Sequence, residues 1–286
     1  MSIYVNSHSD MPYRVSTITC NASIGVCVNL VEVLKHINII ESQTTPNVNA
    51  FTWIEYGKVN RGTYHKKRKD DSVKPKKCFD NQATIIISMN NNNIHYYPNI
   101  KLFRNGSVQM TGIRTPEDGE KIVEIISSEI QRICKTCSTQ VIENYKDEMY
   151  DKIKPGDFSI RMINCDFALP YKIRRKKLHE ILISDKYNNS CSFQPVDYPG
   201  VKLQYYWNNT ITCACNGKCL CEIQCLGKGN GTGQNQCKKV TVSAFDSGKI
   251  LITGANTFTQ VNSAYNYINK IIKDNEAQLK KTIPTL

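Results

Sequence analysis

The chain repeats itself, and this limits the folds open to it more than any other feature. LFRNGSVQMTGIR (102–114) overlays AFDSGKILITGAN (244–256) at an offset of 142, pairing Phe103 with Phe245, Gly106 with Gly248, Thr111 with Thr253 and Gly112 with Gly254. Asn105-Gly106 and Ser247-Gly248 supply turn residues that tolerate positive φ, so each copy predicts a β-hairpin. Beyond each hairpin the apolar spacing becomes helical. Pro116 to Ile133 opens on Pro-Glu-Asp and sets Ile122, Ile126, Ile130 and Ile133 on one face, and Val261, Ala264, Tyr265, Ile268 and Ile272 repeat the stripe.

Upstream, TITCNASIGVCVNL (17–30) overlays IRMINCDFALPYKI (160–173) at an offset of 143, which pairs Asn21 with Asn164. Helical spacing follows both: Leu30, Val33, Leu34 and Ile37, then Leu178, Ile181 and Leu182. Each half therefore reads strand, helix, strands, hairpin, long helix. The expectation is a duplicated α+β unit, with repeats at 1–142 and 143–286 and a boundary between Cys137 and Phe158. Two such units can join their sheets edge to edge, with both long helices on one face and the other face bare. A bare sheet face in a basic protein asks for a ligand.

Lys and Arg number 37 against 25 Asp and Glu, a net charge of +12, which points to a nucleic-acid partner. AT-rich coding DNA, which favours Asn, Ile, Lys and Tyr, gives the same bias whatever the function. The charge gathers in His65–Lys69, Lys74–Lys77 and Arg174–Lys177. No apolar run approaches the ~18 residues of a membrane span. The N-terminus lacks the parts of a signal peptide, so the expectation is an intracellular, non-secreted protein with no membrane partner.

Thirteen cysteines without a secretory signal argue against a disulfide framework. Six crowd together: Cys213, Cys215, Cys219, Cys221, Cys225 and Cys237. Four thiolates from this set can close a tetrahedral shell, so the cluster predicts a structural zinc site, with late disulfides and free thiols as the alternatives. Gly227, Gly229, Gly231 and Gly233 lack the context of a dinucleotide or phosphate loop and are taken as a flexible spacer. The histidines and carboxylates form no catalytic pattern, so no enzyme is expected.

Phe193-Gln-Pro-Val-Asp-Tyr198-Pro199-Gly200, Phe245-Asp-Ser-Gly-Lys-Ile-Leu-Ile-Thr-Gly-Ala255, Phe103-Arg-Asn-Gly and Met-Thr111-Gly resemble motifs of the TATA-box-binding protein family, in the divergent form carried by large DNA viruses. Both repeats are covered. Stretches near 58–98 and 208–237 do not match and are expected as insertions. The resemblance implies a saddle of two pseudo-symmetric repeats with helices on the convex face. It also implies a concave face laid on the minor groove, where apolar side chains wedge between base steps.

Carried over by position, Phe103 and Phe245 are wedges, Tyr198 takes the preceding-strand place in the second repeat, and Phe51 is the first-repeat candidate. Thr111 and Thr253 match base-contacting threonines, and Arg114 and Lys249 match phosphate-contacting positions. Thr17 and Ile160 stand where the family has asparagines, so Asn21 and Asn164, four residues on, are candidates for that role with their strand neighbours Thr19 and Met162. The resemblance implies a transcription initiation factor that binds and bends AT-rich double-stranded DNA. Other initiation proteins or RNA polymerase would be its partners, in host cytoplasm or nucleus or packaged in a virion. The alternative is a protein-interaction or packaging module that kept the fold and no longer bends DNA.

Overall fold

Period-two burial within strands and helical stripes between them produce two packed units. The computed structural model describes residues 12–40, 49–63, 79–91, 93–210, 217–223 and 225–281. One unit holds residues 17–161 and the other residues 162–286 with residues 1–16. The runs His65–Lys69 and Lys74–Lys77, and Cys78, Cys213 and Cys215, lie outside the described residues.

In chain order the first unit contains β1 (Arg14–Ser23, shared with the second unit), α1 (Leu30–His36), β2 (Ala50–Tyr56), β3 (Val59–Gly62), β4 (Gln82–Asn91), β5 (Ile94–Tyr96), β6 (Asn99–Phe103), β7 (Ser107–Ile113) and α2 (Pro116–Thr136). Its strands run antiparallel in the order β3-β2-β4-β6-β7-β1, with β5 paired to β4. The second unit holds most of β8 (Gly156–Ala168), then α3 (Arg175–Ile183), β9 (Cys191–Ser192), β10 (Val201–Trp207), β11 (Lys238–Ala244), β12 (Lys249–Ala255), α4 (Phe258–Asp274) and α5 (Glu276–Leu279). Its order is β8-β12-β11-β10-β9. The α+β expectation of antiparallel strands backed by helices holds in each unit.

The repeat is visible in detail. Both hairpins turn as expected, Gly106 N–H and Gly248 N–H donating to Phe103 O and Phe245 O. Both long helices start on a threonine cap, Thr115 accepting from Asp118 N and Thr257 from Gln260 N, again 142 apart. The apolar stripes, Ile122, Ile126, Ile130 and Ile133 on α2 and Val261, Ala264, Ile268 and Ile272 on α4, are buried.

Each Thr-Gly pair forms a β-bulge. Ile18 pairs Ile113 and Cys20 pairs Met110, so Thr111 and Gly112 stand opposite Thr19 alone; Ala255 pairs Ile163 and Ile252 pairs Cys165, so Thr253 and Gly254 stand opposite Asn164 alone. Gly112 and Gly254 take φ of 82° and 90°, which is why this place needs glycine.

Two sequence readings are corrected. The pairings make β8 the counterpart of β1 at an offset of 145, not 143. Asn21 sits opposite Gln109 and Asp166 opposite Leu251, so Asn21 corresponds to Asp166 and Asn164 to Thr19. The stretch 58–98 is also not an insertion throughout, because β4 is an interior strand between β2 and β6.

A methyl at Gly106 would run into Val26 O, and one at Gly248 into Tyr171 O, with both glycines at positive φ. Gly57 has positive φ and open space. Gly106→Ala and Gly248→Ala should therefore each cost more than the ~1–2 kcal/mol of left-handed backbone, and Gly57→Ala no more than that. Urea denaturation of the three variants checks the order.

Candidate nucleic-acid interface and metal centre

In the first unit, Ile18, Cys20, Ala22, Val108, Met110, Ile100, Leu102, Ala83 and Ile85 point into the core. Their alternates point the other way and keep partial exposure: Thr17, Thr19, Asn21 and Ser23 on β1, Ser107, Gln109 and Thr111 on β7, and Asn99, Lys101 and Phe103 on β6. This face is polar and uncharged apart from Lys101, and Phe103 marks the hairpin end. Thr17 Oγ1 accepts from Gly112 N at 3.0 Å, so that hydroxyl helps hold the bulge. Thr111 donates to Asn99 O at 3.4 Å.

The second unit's open face carries Met162, Asn164 and Asp166 on β8, Lys249, Leu251 and Thr253 on β12, Thr241, Ser243 and Phe245 at β11, and Lys202 and Gln204 on β10. The rings of Tyr198 and Phe245 meet at 5.7 Å, and Lys202 Nζ lies 3.8 Å from the Tyr198 ring centre. Both rings are half-buried, so the structure brings these two expected wedges together. Asp166 is held by three bonds from Arg14, at 2.8, 3.1 and 3.2 Å, with Lys249 Nζ at 3.6 Å. Sequence reasoning missed this carboxylate, because nothing in the run NCDFA distinguishes it.

Asn21 and Asn164 each leave the side-chain Oδ1 buried without a hydrogen-bond partner. Arg114 lies over the Tyr96 ring at 5.0 Å, whose hydroxyl donates to Asp118 at 2.5 Å. Arg174–Lys177 stand at the start of α3, which packs on the core side of β10, so this basic run is not part of the open face.

Phe51 is corrected. It lies on β2, 6% exposed, paired with Ile87, and β2 corresponds to β9 and not to the segment before β10. The Leu102–Ala83 and Ala244–Val201 pairings place Phe79 one residue before the counterpart of Tyr198. Phe79 is 58% exposed. Its place just ahead of an Ile-rich strand was the available signal, hidden by the mismatch of the preceding segment.

Between β10 and β11, Cys219, Cys221, Cys225 and Cys237 bring their sulfurs within 4.8 Å of one another. Cys219 to Cys225 and Cys221 to Cys237 are 3.5 Å apart, and Cys219 to Cys237 is 3.7 Å. Four thiolates at ~2.3 Å from one ion define edges of about 3.8 Å, so the separations are those of a tetrahedral shell that could hold a metal. Cys225 N donates to Cys219 Sγ at 3.4 Å, Asn235 N to Cys221 Sγ at 3.2 Å and Asn208 Nδ2 to Cys237 Sγ at 3.6 Å, as thiolate ligands require. Burial works to raise the Cys219 pKa, but N–H donors from Cys225 and Cys221 outweigh it and bring it to about 7. These are four of the six expected cysteines; Cys213 and Cys215 lie outside the described residues.

The glycines here are not a loose spacer. Gly227, Gly231 and Gly233 hold φ of 72°, 89° and 88°, and a side chain on Gly231 would strike the Trp207 ring.

A "TATA-box-binding protein-like" protein of Acanthamoeba polyphaga mimivirus is 30% identical over 280 residues, covering 94% of this chain. The chain belongs to the TATA-box-binding-protein-like family, of the divergent large-DNA-virus type. It spans 66% of that relative's length. Among solved structures, Methanococcus jannaschii TBP aligns over 92% of this chain and 99% of its own, at 16% identity and a TM-score of 0.47. No protein-family profile matches the chain. No helix among the described residues is long and apolar enough to cross a membrane.

Phe51→Ala should destabilise the fold by about 3–5 kcal/mol, as a core aromatic does, and Phe79→Ala should stay within about 0.5 kcal/mol. Paired denaturation curves check this.

Proposed function

We propose that the open faces of the two units bind AT-rich duplex DNA through the minor groove and bend it, and that the chain acts as a transcription initiation factor alongside other initiation proteins or an RNA polymerase. The observation that carries this reading is the helix-free, mostly uncharged polar face present in both units, with Phe103 or Phe245 at its hairpin corner. Unstacking a base step costs a few kcal/mol, which a flat apolar ring offsets by stacking and burial. Tyr198 and Phe245 supply such a pair, and Phe79 with Phe103 supplies the other.

Polar strand residues suit the minor groove. A·T pairs present acceptors there, and the Nδ2 groups of Asn21 and Asn164 are donors. A packaging or protein-interaction module is favoured by a carboxylate-lined face, but Asp166 is matched by Arg14 and Lys249. We assign the four-cysteine centre to structural zinc, held by Cys219, Cys221, Cys225 and Cys237. When bound, zinc closes the loop and supplies no reaction chemistry.

Affinity for AT-rich duplexes should fall with log salt by about 0.9 log units per phosphate contacted. Phe103→Ala combined with Phe245→Ala should abolish bending, read by end-to-end fluorescence transfer, while leaving salt-sensitive binding, because wedges deform DNA and lysines only attract it. Unchanged bending would remove the wedge assignment.

Elemental analysis of protein purified under reducing conditions should find about one zinc per chain. Cys221→Ser with Cys225→Ser should release it without unfolding either unit, whose cores lie elsewhere. Metal-free protein with the segment still ordered would count against zinc.

A further inference from the structure

Strand alternation fixes which way each residue of the N-terminal segment points. Tyr13, 5% exposed, donates its hydroxyl to Asn262 Oδ1 at 2.5 Å and meets the Tyr265 ring at 5.4 Å, both on α4. Tyr13 therefore lies on the helix side of the second unit, and Arg14 is sent to the open face. Ser16 Oγ donates to Asn164 O at 2.9 Å, so the segment runs alongside β8. There Arg14 meets Asp166, Nε donating to Oδ1 at 3.2 Å and Nη2 to Oδ1 and Oδ2 at 2.8 and 3.1 Å.

The two groups are unequal toward a ligand. The Asp166 side chain is 12% exposed and that of Arg14 71%. The carboxylate is covered, with both oxygens turned to the guanidinium. Nη1 takes no part in the contact, so its two N–H donors stand ready in the plane of a fixed fork. Asp166 has Leu251 of β12 opposite it on one side and Arg14 on the other, which puts the pair inside the face and away from its edge. On a face laid over a groove, interior positions meet the floor, where base edges lie, and rim positions meet the phosphates.

The chemistry of that floor decides what the pair can do. A·T pairs present only acceptors in the minor groove, and G·C adds the guanine N2 amino donor. Asn21 Nδ2 can donate to such acceptors, whereas its counterpart Asp166 is acceptor-only and would repel them. Arg14 turns this place from an acceptor into a donor. At the offset of 145 that relates β8 to β1, the counterpart of Arg14 is Ser159. The first unit thus has neither guanidinium nor carboxylate at these two places.

We propose that Arg14 is a specificity-determining residue of the DNA face. Positioned by Asp166, it donates through Nη1 to an adenine N3 or thymine O2 beneath the second unit and rejects G·C there, because the guanine amino group meets it donor to donor. The proposal rests on the minor-groove reading of the open faces and adds that selection is one-sided, strict under the second unit and shallow under the first.

The test measures the affinity of the full chain for an AT-rich duplex and for duplexes carrying one G·C pair at each position in turn, at several salt concentrations. The parent should show a G·C penalty of about tenfold or more, concentrated in one half of the site. Arg14→Lys keeps the charge and loses the planar fork, and Asp166→Asn removes the anchor. Each should flatten that penalty to the level of the other half without weakening binding to the uninterrupted AT-rich duplex, which a purely structural ion pair would not do. Arg14→Gln should flatten it too. If Arg14→Gln instead weakens every duplex alike and lowers the salt slope by about one, Arg14 contacts a phosphate and the proposal fails. Penalties unchanged in all three variants, or equal in both halves of the parent's site, also overturn it while leaving minor-groove binding standing. A parent that binds no duplex, or binds AT-rich and GC-rich duplexes equally, overturns the minor-groove reading itself.

Discussion

Each repeat has helices enough to cover one face of its sheet, and the rest of the structure follows from that shortage. An antiparallel strand sends alternate side chains to opposite sides, so burying Ile18, Cys20, Val108 and Met110 beneath α1 and α2 sends Thr19, Asn21, Ser107 and Gln109 outward. The same rule in the second unit buries Val242, Ile250 and Ile252 and turns out Thr241, Leu251 and Thr253. The Thr-Gly bulges keep this sorting while bending the strand, since the left-handed glycine absorbs the extra residue without shifting the next apolar position out of the core. The face proposed to bind is thus the one the fold leaves uncovered.

What the sequence disclosed and what it hid divide along physical lines. The hairpins, both long helices and the repeat itself were legible because their signals are local: turn glycines, threonine caps and helical stripes lie within a few residues of one another. The register of β8 against β1 was not, because it depends on which carbonyl across the sheet accepts each N–H, and overlaying letters slid it by two. Phe51 misled for a similar reason. An aromatic on a strand looks the same in sequence whether it points inward or outward, and here it points inward, leaving the exposed ring at Phe79. In the cysteine cluster the spacing showed that a metal shell was feasible, but which thiols meet depends on a chain reversal set by Gly227, Gly231 and Gly233.

The carboxylate on the second unit's open face at first conflicts with a nucleic-acid role, and Lys249, expected at a phosphate, stands beside it. The geometry resolves this. Both cations are exposed, but Arg14 meets Asp166 with three bonds, from Nε and Nη2 to Oδ1 and from Nη2 to Oδ2, whereas Lys249 Nζ is 3.6 Å away. An exposed pair without hydrogen-bond geometry contributes about 0–1 kcal/mol, whereas the guanidinium makes a forked, charge-assisted contact, so the lysine is the cation more cheaply released to a stronger anion. Arg14 is therefore the residue on which an electrically acceptable face depends, and it comes from the N-terminal segment and not from the repeat that carries Asp166.

The cysteine loop is a different solution to the same problem of limited cover. It leaves the sheet after Trp207 and returns at Lys238, so β10 and β11 pair in full from Val201–Ala244 to Trp207–Lys238 without it. Its own order comes from thiols and glycines: Cys237 and Asn208 are buried against each other, and Gly231 lets the backbone lie on the Trp207 ring. Structure of that kind asks nothing of the strands beyond a docking edge. Its surface residues can therefore change without disturbing the open face, and the open face can change without loosening the loop. A chain built this way separates the surface that would read DNA from the loop that would hold a metal, and each can be altered while the other is kept.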